Sequence, residues 1–588
     1  NTRENLRYNL FQIPLDIIKA LIANLMKDSF FETVPSKYLT IMNDAQDQMF
    51  PASTPAYATV EEYKKNFKKC LLANNGVVYV MNSVISPADY ASVIAPALYS
   101  KNTQIVKTVA RADDAYIQGS SYNNAPLKKY YSTYLKAMQS RFSFFVPVDE
   151  GLSTYGMVDK NAPNAPLPIR AEAYRYNIET GQNPDTDTKQ TAGGTAANLS
   201  EPTQSLGSGA GLVKKSLVID LMDQHILVHE NDDVEGLNSS RKYYESRGGA
   251  PVLVVNKGNA AQAGIGMQVD GGFQIQLNQD EYPANDHHCV VTEGYDMTRE
   301  TNGYGNGMTY LLDRPMQPTT RSVYNILRSD SRYSEFFNLA NTAFSAEELA
   351  IIGLKDPSWT DKDEEWTAEQ NKYRIFTNAS GYNPAQDEKL VRFFNNYRYT
   401  IYVPTNEAMQ AAYAAGLPTY EDISKFISDN TILPDDEDGE PTMTPENQAK
   451  AQAMVNMLVN FVKYHFQDQA FYVDDCNYSG DFQTSCVDVV NNVYLTISMK
   501  QTPNAITVTD ASGATQSVIE PYNVLARDSN FDKAVANTAT SISNSSYAVL
   551  HQVAKPLVFM SDFSGRYDDQ WATQSKAKAF LAKYRILK

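Results

Sequence analysis

One phrase is written twice in this chain, as RFSFFVPVDEGL at 141–152 and as RYTIYVPTNEAM at 398–409. A repeat constrains a fold more than a single motif does, because each copy must solve the same local problem. In the first copy Phe142, Phe144 and Val146 fall on one face of an extended segment, and Ser143 and Phe145 on the other. That pattern predicts a strand buried on both sides. Pro147 or Pro404 then ends the ladder, since proline has no N–H to give. Asp149, or Thr405 and Asn406, offers side-chain oxygen to the first unpaired N–H groups of a following helix. Glu150 and Glu407 stand in that helix's first turn, where its dipole favours an anion. The phrase encodes one strand-to-helix corner, made twice. Read as paired catalytic carboxylates, the acidic residues fail, because Asp149 becomes Asn406 in the second copy and an amide is no general acid or base.

A second phrase recurs as NGVVYVMNSVISP (75–87), NGMTYLLDRPMQP (306–318) and, with Ser for Gly, SSYAVLHQVAKP (545–556). Gly76 and Pro87, Gly307 and Pro318, and Ser545 and Pro556 keep one spacing. These segments read as buried strands entered from a tight turn at Gly76 or Gly307 and ended by proline. Between corner and closing strand lie two amphipathic helices with histidine, VIDLMDQHILV (218–228) and MLVNFVKYHFQ (457–467). His225 and His465 stand among apolar neighbours, the setting of a hydrogen-bonded core histidine rather than of a ligand. The order of phrases divides the chain into four parts. Residues 1–89 hold the second half of one unit, and 90–320 a full unit with a large insertion at about 160–215. Residues 321–563 hold another full unit with an insertion at about 416–450, and 564–588 a helical tail.

A strand, then VPTNEAM opening a helix, then Tyr464 and His465 on an amphipathic helix, then the closing strand: this succession resembles the fasciclin domain. It is most similar to the enlarged, divergent fasciclin domains of exported proteins in Bacteroidota. The resemblance covers nearly the whole chain and is fullest in 321–563. In 90–320 it departs, with Val148 where the other copy has Thr405 and Gln224 where it has Tyr464. It implies an α+β fold of tandem domains, each a wedge of packed β-sheets with flanking helices. It also implies a non-enzymatic binding or adhesion protein at a cell surface, with protein or glycan partners. A second role implied by the resemblance is an accessory lipoprotein subunit of an outer-membrane transport complex of the SusC/SusD-like, TonB-dependent kind. Both roles place the protein outside the cell, on the outer-membrane surface, and the second adds a lipid anchor upstream of Asn1.

Several stretches imitate chemistry they do not carry. DHHC at 286–289 matches the signature of protein S-acyltransferases, but the several membrane helices and the Cys-rich zinc domain those enzymes need are missing from this sequence. In a strand His287 and His288 would point to opposite faces, and three ligands in one short loop do not close a zinc shell. DDEDGE at 435–440 suggests a calcium loop, yet with Gly439 at the sixth position the first and twelfth positions are Pro434 and Pro445, neither a carboxylate. GSGAG at 207–211 runs into LVKKS instead of Gly-Lys-Ser/Thr, so it is no phosphate loop. No Ser, His and Asp spacing suggests a triad. No catalytic, metal or cofactor-binding residue is expected, and the protein is not expected to be an enzyme.

A formal charge of −17 sets aside nucleic acid and anionic membrane surfaces as partners. The most apolar stretch, PLDIIKALIANLM (14–26), is broken by Asp16 and Lys19 and is too short to span a bilayer. Four cysteines are too few for a disulfide scaffold. Cys476 and Cys486 could close the loop CNYSGDFQTSC, marking an oxidising compartment, or stand as two thiols. The chain starts at Asn1 without an initiator Met, so the N-terminus is expected to be processed or missing. Near-helical spacing of Trp571, Phe580, Leu581 and Tyr584 predicts a terminal helix that packs back on 321–563 or docks on a partner.

Overall fold

The computed structural model describes residues 41–42, 48–51, 67–81, 85–87, 92–103, 106–107, 110, 117–118, 131, 134–137, 140–155, 157–159, 162–167, 213–230, 236–279, 288–298, 305–319, 321–378, 389–394, 398–435, 439–531, 542–559 and 574–585. The chain divides into two compact units, Asn1–Thr320 and Arg321–Lys588. Each combines helices with sheets, an α+β architecture.

In the N-terminal unit, β1 (Phe67–Ala73) and β2 (Gly76–Met81) form a hairpin that turns over Asn74 and Asn75. Gly76 does start a strand, but the face of it that carries Val78 and Val80 is not buried as expected. Leu71, Leu72, Val78 and Val80 are exposed, because a two-stranded hairpin has no second layer of its own to cover them. Pro87 belongs to a separate strand, Ile85–Pro87.

The main sheet of this unit follows the short helix α1 (Ala95–Tyr99). It comprises β3 (Arg141–Pro147), followed by α2 (Asp149–Tyr155), then α3 (Lys215–Gln224) leading into β4 (Ile226–His229). After these come β5 (Tyr243–Glu245), β6 (Pro251–Asn256), β7 (Gln268–Gly271), α4 (Gly272–Gln279), β8 (Cys289–Met297) and β9 (Gly307–Leu312). The strand order is β4–β3–β9–β8–β7–β6–β5, with β3 and β9 parallel. Phe142, Phe144, Phe145 and Val146 are all fully buried, each contributing roughly 1.5–3 kcal/mol of apolar burial. Most of the expected insertion at about 160–215 lies outside the described residues.

The C-terminal unit opens with α5 (Val323–Ser329), capped by Ser322, whose Oγ accepts from the Asn325 N–H at 3.1 Å. The small pair β10 (Phe376–Asn378) and β11 (Lys389–Val391) precedes the second phrase strand, β12 (Arg398–Pro404). Next come α6 (Asn406–Ala414), α7 (Tyr420–Asn430) and the twenty-residue α8 (Pro445–Tyr464). The stretch expected as an insertion at about 416–450 therefore holds α7 and the start of α8, with a capping box at Thr419 and Asp422 starting α7. Strands β13 (Phe466–Asp468), β14 (Tyr478–Asp488), β15 (Val493–Thr502), β16 (Ala505–Thr509), β17 (Thr515–Phe531) and β18 (Ile542–Val553) complete the unit, before the terminal α9 (Gln574–Tyr584).

Strands β12 to β18 close into a barrel in sequence order, sealed by the parallel pair β12 and β18, which removes the edges an open sheet would expose. Helix α8 is buried along most of its surface, as expected of a helix packed on more than one side. One neighbour is α9: Ala577, Phe580 and Tyr584 are buried, and the Asn460 side chain donates to the Tyr584 carbonyl at 2.5 Å.

The two units share one frame. The run β4–β3–β9–β8 has the same order and sense as β13–β12–β18–β17. Gly307 pairs with Phe142 and Leu312 with Pro147, while Ala548 pairs with Tyr399 and Val553 with Pro404. This register corrects the sequence alignment. Ala548, not Ser545, stands at the rung of Gly307, and Pro315, not Pro318, matches Pro556. Equal spacing from Gly or Ser to Pro had selected a match three residues out of step.

Candidate functional site

The corner is built alike in both units. The Val148 N–H donates to the Leu312 carbonyl at 2.9 Å, and the Thr405 N–H to the Val553 carbonyl at 3.0 Å. Thr405 is the true cap: its Oγ1 accepts from the Ala408 N–H at 3.1 Å. Asn406 does not cap its own helix, contrary to expectation, because it is the first helical residue rather than the residue before it; Asp149 is likewise the first residue of α2. The Asp149 N–H donates to the Asn102 carbonyl at 2.7 Å. Asn406 works sideways instead, accepting from the Glu335 N–H at 3.1 Å and donating to the Ser331 carbonyl at 2.9 Å.

Behind each corner stands a histidine clamp. His225 Nδ1–H donates to the Leu221 carbonyl at 2.6 Å, and its Nε2 accepts from the Met316 N–H at 2.9 Å. His465 repeats this with the Phe461 carbonyl at 2.8 Å and the Leu557 N–H at 2.9 Å. A carbonyl on one nitrogen and an N–H on the other permit only the neutral Nδ1–H tautomer. Burial pushes both imidazoles down to about 4, against the opposing pull of the carbonyl each one bonds. Each ring thus fastens a helix end, where carbonyls lack intrahelical partners, to the segment just past the closing strand. His551 is similarly committed, with Nε2–H donating to the Phe471 carbonyl at 2.9 Å.

Tyr464 adds a second tie, donating from its hydroxyl to the Thr496 carbonyl and accepting from the Ala511 N–H, each at 2.9 Å. Gln224, at the same place in the other unit, reaches the Pro251 carbonyl at 3.4 Å. Gly307 has a structural reason to be glycine: its φ is +146°, and a Cβ would lie 1.9 Å from the Phe142 carbonyl oxygen. Gly76 has open space around it and no such constraint. Pro147 and Pro404 end their strands at the corner.

Cys476 and Cys486 are not joined; both are thiols. The expected hairpin between them does not exist, since Tyr478–Asp488 is one strand. At about 3.3 Å per residue their Cα atoms stand far beyond the ~7 Å that a disulfide tolerates. Cys486 is fully buried, and burial pushes its thiol well above the ordinary range. Of the DHHC stretch, Asp286 and His287 lie outside the described residues. His288 Nδ1 meets the buried Asp270 carboxylate at 2.8 Å, and Cys289 is buried with Sγ 3.5 Å from the Pro315 carbonyl. Among the described residues no group of three or more His, Cys, Asp or Glu could hold a metal ion, and no helix is long and apolar enough to cross a membrane.

Two features escaped the sequence reading. The buried carboxylate of Asp528 accepts from the Val323 N–H at 3.0 Å and from the Val391 N–H at 2.8 Å, tying α5 and β11 to the barrel. In the other unit the Val93 N–H is met by the Asn306 side chain at 2.9 Å. The second feature lies two residues before each clamp histidine. There the N-terminal unit has Asp223, which takes the Tyr131 hydroxyl at 3.2 Å and pairs with Arg247, itself 4.5 Å over the Tyr134 ring. The C-terminal unit has Lys463, 4% exposed. The only signal for it in the sequence is a lysine amid the apolar residues of MLVNFVKYHFQ.

No family model matches the chain, and no curated protein matches it. Among solved structures it is similar to a FAS1 domain pair from the insect cell adhesion molecule Fasciclin I. The identity is 10%, the TM-score 0.21, and the match covers 71% of this chain and 88% of that one. A likeness of that size carries no weight for fold or function.

Proposed function

We propose that this chain is a non-enzymatic binding and adhesion protein of the cell surface, built from fasciclin-like units, each a wedge of sheets and helices, and engaging protein or glycan. The observation that carries the reading is the repeated frame: one strand, one corner and one clamp histidine in the same register in two units. The residues that recur have backbone duties. His225, His465 and His551 each hold two main-chain groups, which leaves those three rings no part in acid–base chemistry as they stand. Frames repeated in tandem suit multivalent attachment, in which weak contacts add through effective concentration.

The test is adhesion itself. Beads coated with the full chain are scored for aggregation and for binding to cells, matrix proteins and a glycan array, against beads coated with an unrelated acidic protein. Saturable binding that soluble protein competes away is expected. No excess over the control on any surface would overturn the reading. So would purification from the source cells in mild detergent as a stoichiometric partner of an outer-membrane barrel, which would make the chain a transporter subunit instead.

A further inference from the structure

Near the C-terminal end of α8 the ammonium of Lys463 lies over the Phe393 ring, 5.4 Å from its centroid. Arg392 is close enough to repel it, and the Nε of Arg392 is buried with no hydrogen-bond partner among the described residues. Arg374 stands beside Ile375, whose carbonyl accepts the Arg392 N–H at 2.8 Å, and its Nε is buried in the same condition. Among the described residues neither Lys463 nor Arg392 has a carboxylate partner. The equivalent position of the other unit shows what compensation looks like, with Asp223 answered by Arg247 and Tyr131.

Cations taken out of water without a counter-ion lose their hydration, and side by side they also repel. The face of Phe393 offsets part of this for Lys463 but offers Arg392 Nε no acceptor within its plane. Among the described residues, the acidic group that acts on Lys463 is the Cys486 thiol, which burial holds protonated and so uncharged. Burial and the Arg392 cation together push the Lys463 amine down to about 8, as expected where no anion is at hand. Among the described residues this place holds no negative charge.

We infer that Lys463 and Arg392 form a binding site for a small oxyanion, of the phosphate, sulfate or small-acid carboxylate class. Lys463 supplies a point charge from the helix, and Arg392 a planar fork suited to two oxygens at once. A side chain only 4% exposed is reached by a small ion and not by a bulky acidic polymer.

The test uses the full chain. Inorganic phosphate, sulfate and acetate are titrated separately by calorimetry at fixed ionic strength in chloride, with the native protein, Lys463→Met and Arg392→Gln. One saturable site is expected, weakened about tenfold or more by either substitution, the loss of one charge-assisted hydrogen bond. Phosphate and sulfate binding well above acetate assigns a multiply charged ion; acetate binding equally assigns a carboxylate. If Lys463→Met fails to fold, Arg392→Gln decides alone, since Arg392 is half-buried. Absence of saturable binding for all three ions, or unchanged affinity in Arg392→Gln, overturns the inference.

Discussion

Replacing His465 tests the clamp, because two substitutions each keep a different half of it. Asn places an amide where Nδ1 was, so it still serves the Phe461 carbonyl but leaves the Leu557 N–H without an acceptor. Gln reaches the Nε2 position and does the reverse. Leu557 is fully buried, and a stranded buried donor costs about 1–3 kcal/mol. The stranded helix-end carbonyl costs about 1 kcal/mol, so Asn should destabilise more than Gln. Acid adds a second signature. The unfolded histidine takes its proton near 6.5, the folded one only near 4. His465 therefore contributes stability that is complete above pH 6.5 and is lost as the pH falls from there to 4, about 3 kcal/mol in all. His465→Gln should remove one proton from that slope, about 1.4 kcal/mol per pH unit. Carboxylates that titrate in the same window cancel in the difference between the two proteins. The assay is urea unfolding followed by tryptophan fluorescence, since Trp359, Trp366 and Trp571 all fall in the C-terminal unit. Identical pH slopes, or Gln more damaging than Asn, would refute the reasoning.

Other positions give sharp outcomes. Gly307→Ala should destabilise the N-terminal unit by about 2 kcal/mol or more through a forced backbone shift, read by hydrogen exchange across β3 and β9; unchanged protection there would dismiss the constraint. Thr405→Ala should cost about 1 kcal/mol by uncapping α6, while Val148→Thr should add about 0.5–1 kcal/mol by capping α2. Equal signs in the two unfolding curves would contradict the corner. Asp528→Ala strands two buried N–H groups and should cost about 2–5 kcal/mol, measured in the same tryptophan-monitored transition. Thiol titration should find Cys486 unreactive in the native state and reactive once unfolded, with an intact mass showing no lost hydrogens; a linked Cys476–Cys486 peptide would contradict the single strand.

The corner was legible because its parts are local. Apolar residues at every position of 142–147 except Ser143 describe a strand covered on both faces, and Pro with a following helix former describes its exit. The closing strand was legible in existence but not in register. Register is fixed by which carbonyl of β12 meets which N–H of β18, and Ser545 and Ala548 look equally suitable until those partners are known. The supposed loop at 476–486 failed for a related reason: Asn, Gly and Asp read as a turn until pairing with β15 holds Tyr478 to Gln483 extended. The exposure of Val78 and Val80 in β2 was illegible too, since its sequence matches the buried β9, which lies inside a seven-stranded sheet while β2 pairs only with β1 among the described residues.

What recurs between the units and what diverges follow one rule. A proline at the corner, a histidine serving a carbonyl and an N–H at once: each duty admits few side chains, so the letters survive and a repeat is visible. Other duties admit several. The N–H groups of Val93 and Val323 both need a buried acceptor, and Asn306 supplies one just ahead of β9 while Asp528 supplies the other from β17. The position two before the clamp histidine admits even opposite charges, Asp223 and Lys463, provided that something compensates each. In the N-terminal unit that compensation is written in the chain as Arg247. In the C-terminal unit it is not among the described residues, and for that reason the inverted position is where a ligand of the opposite sign has the most to contribute.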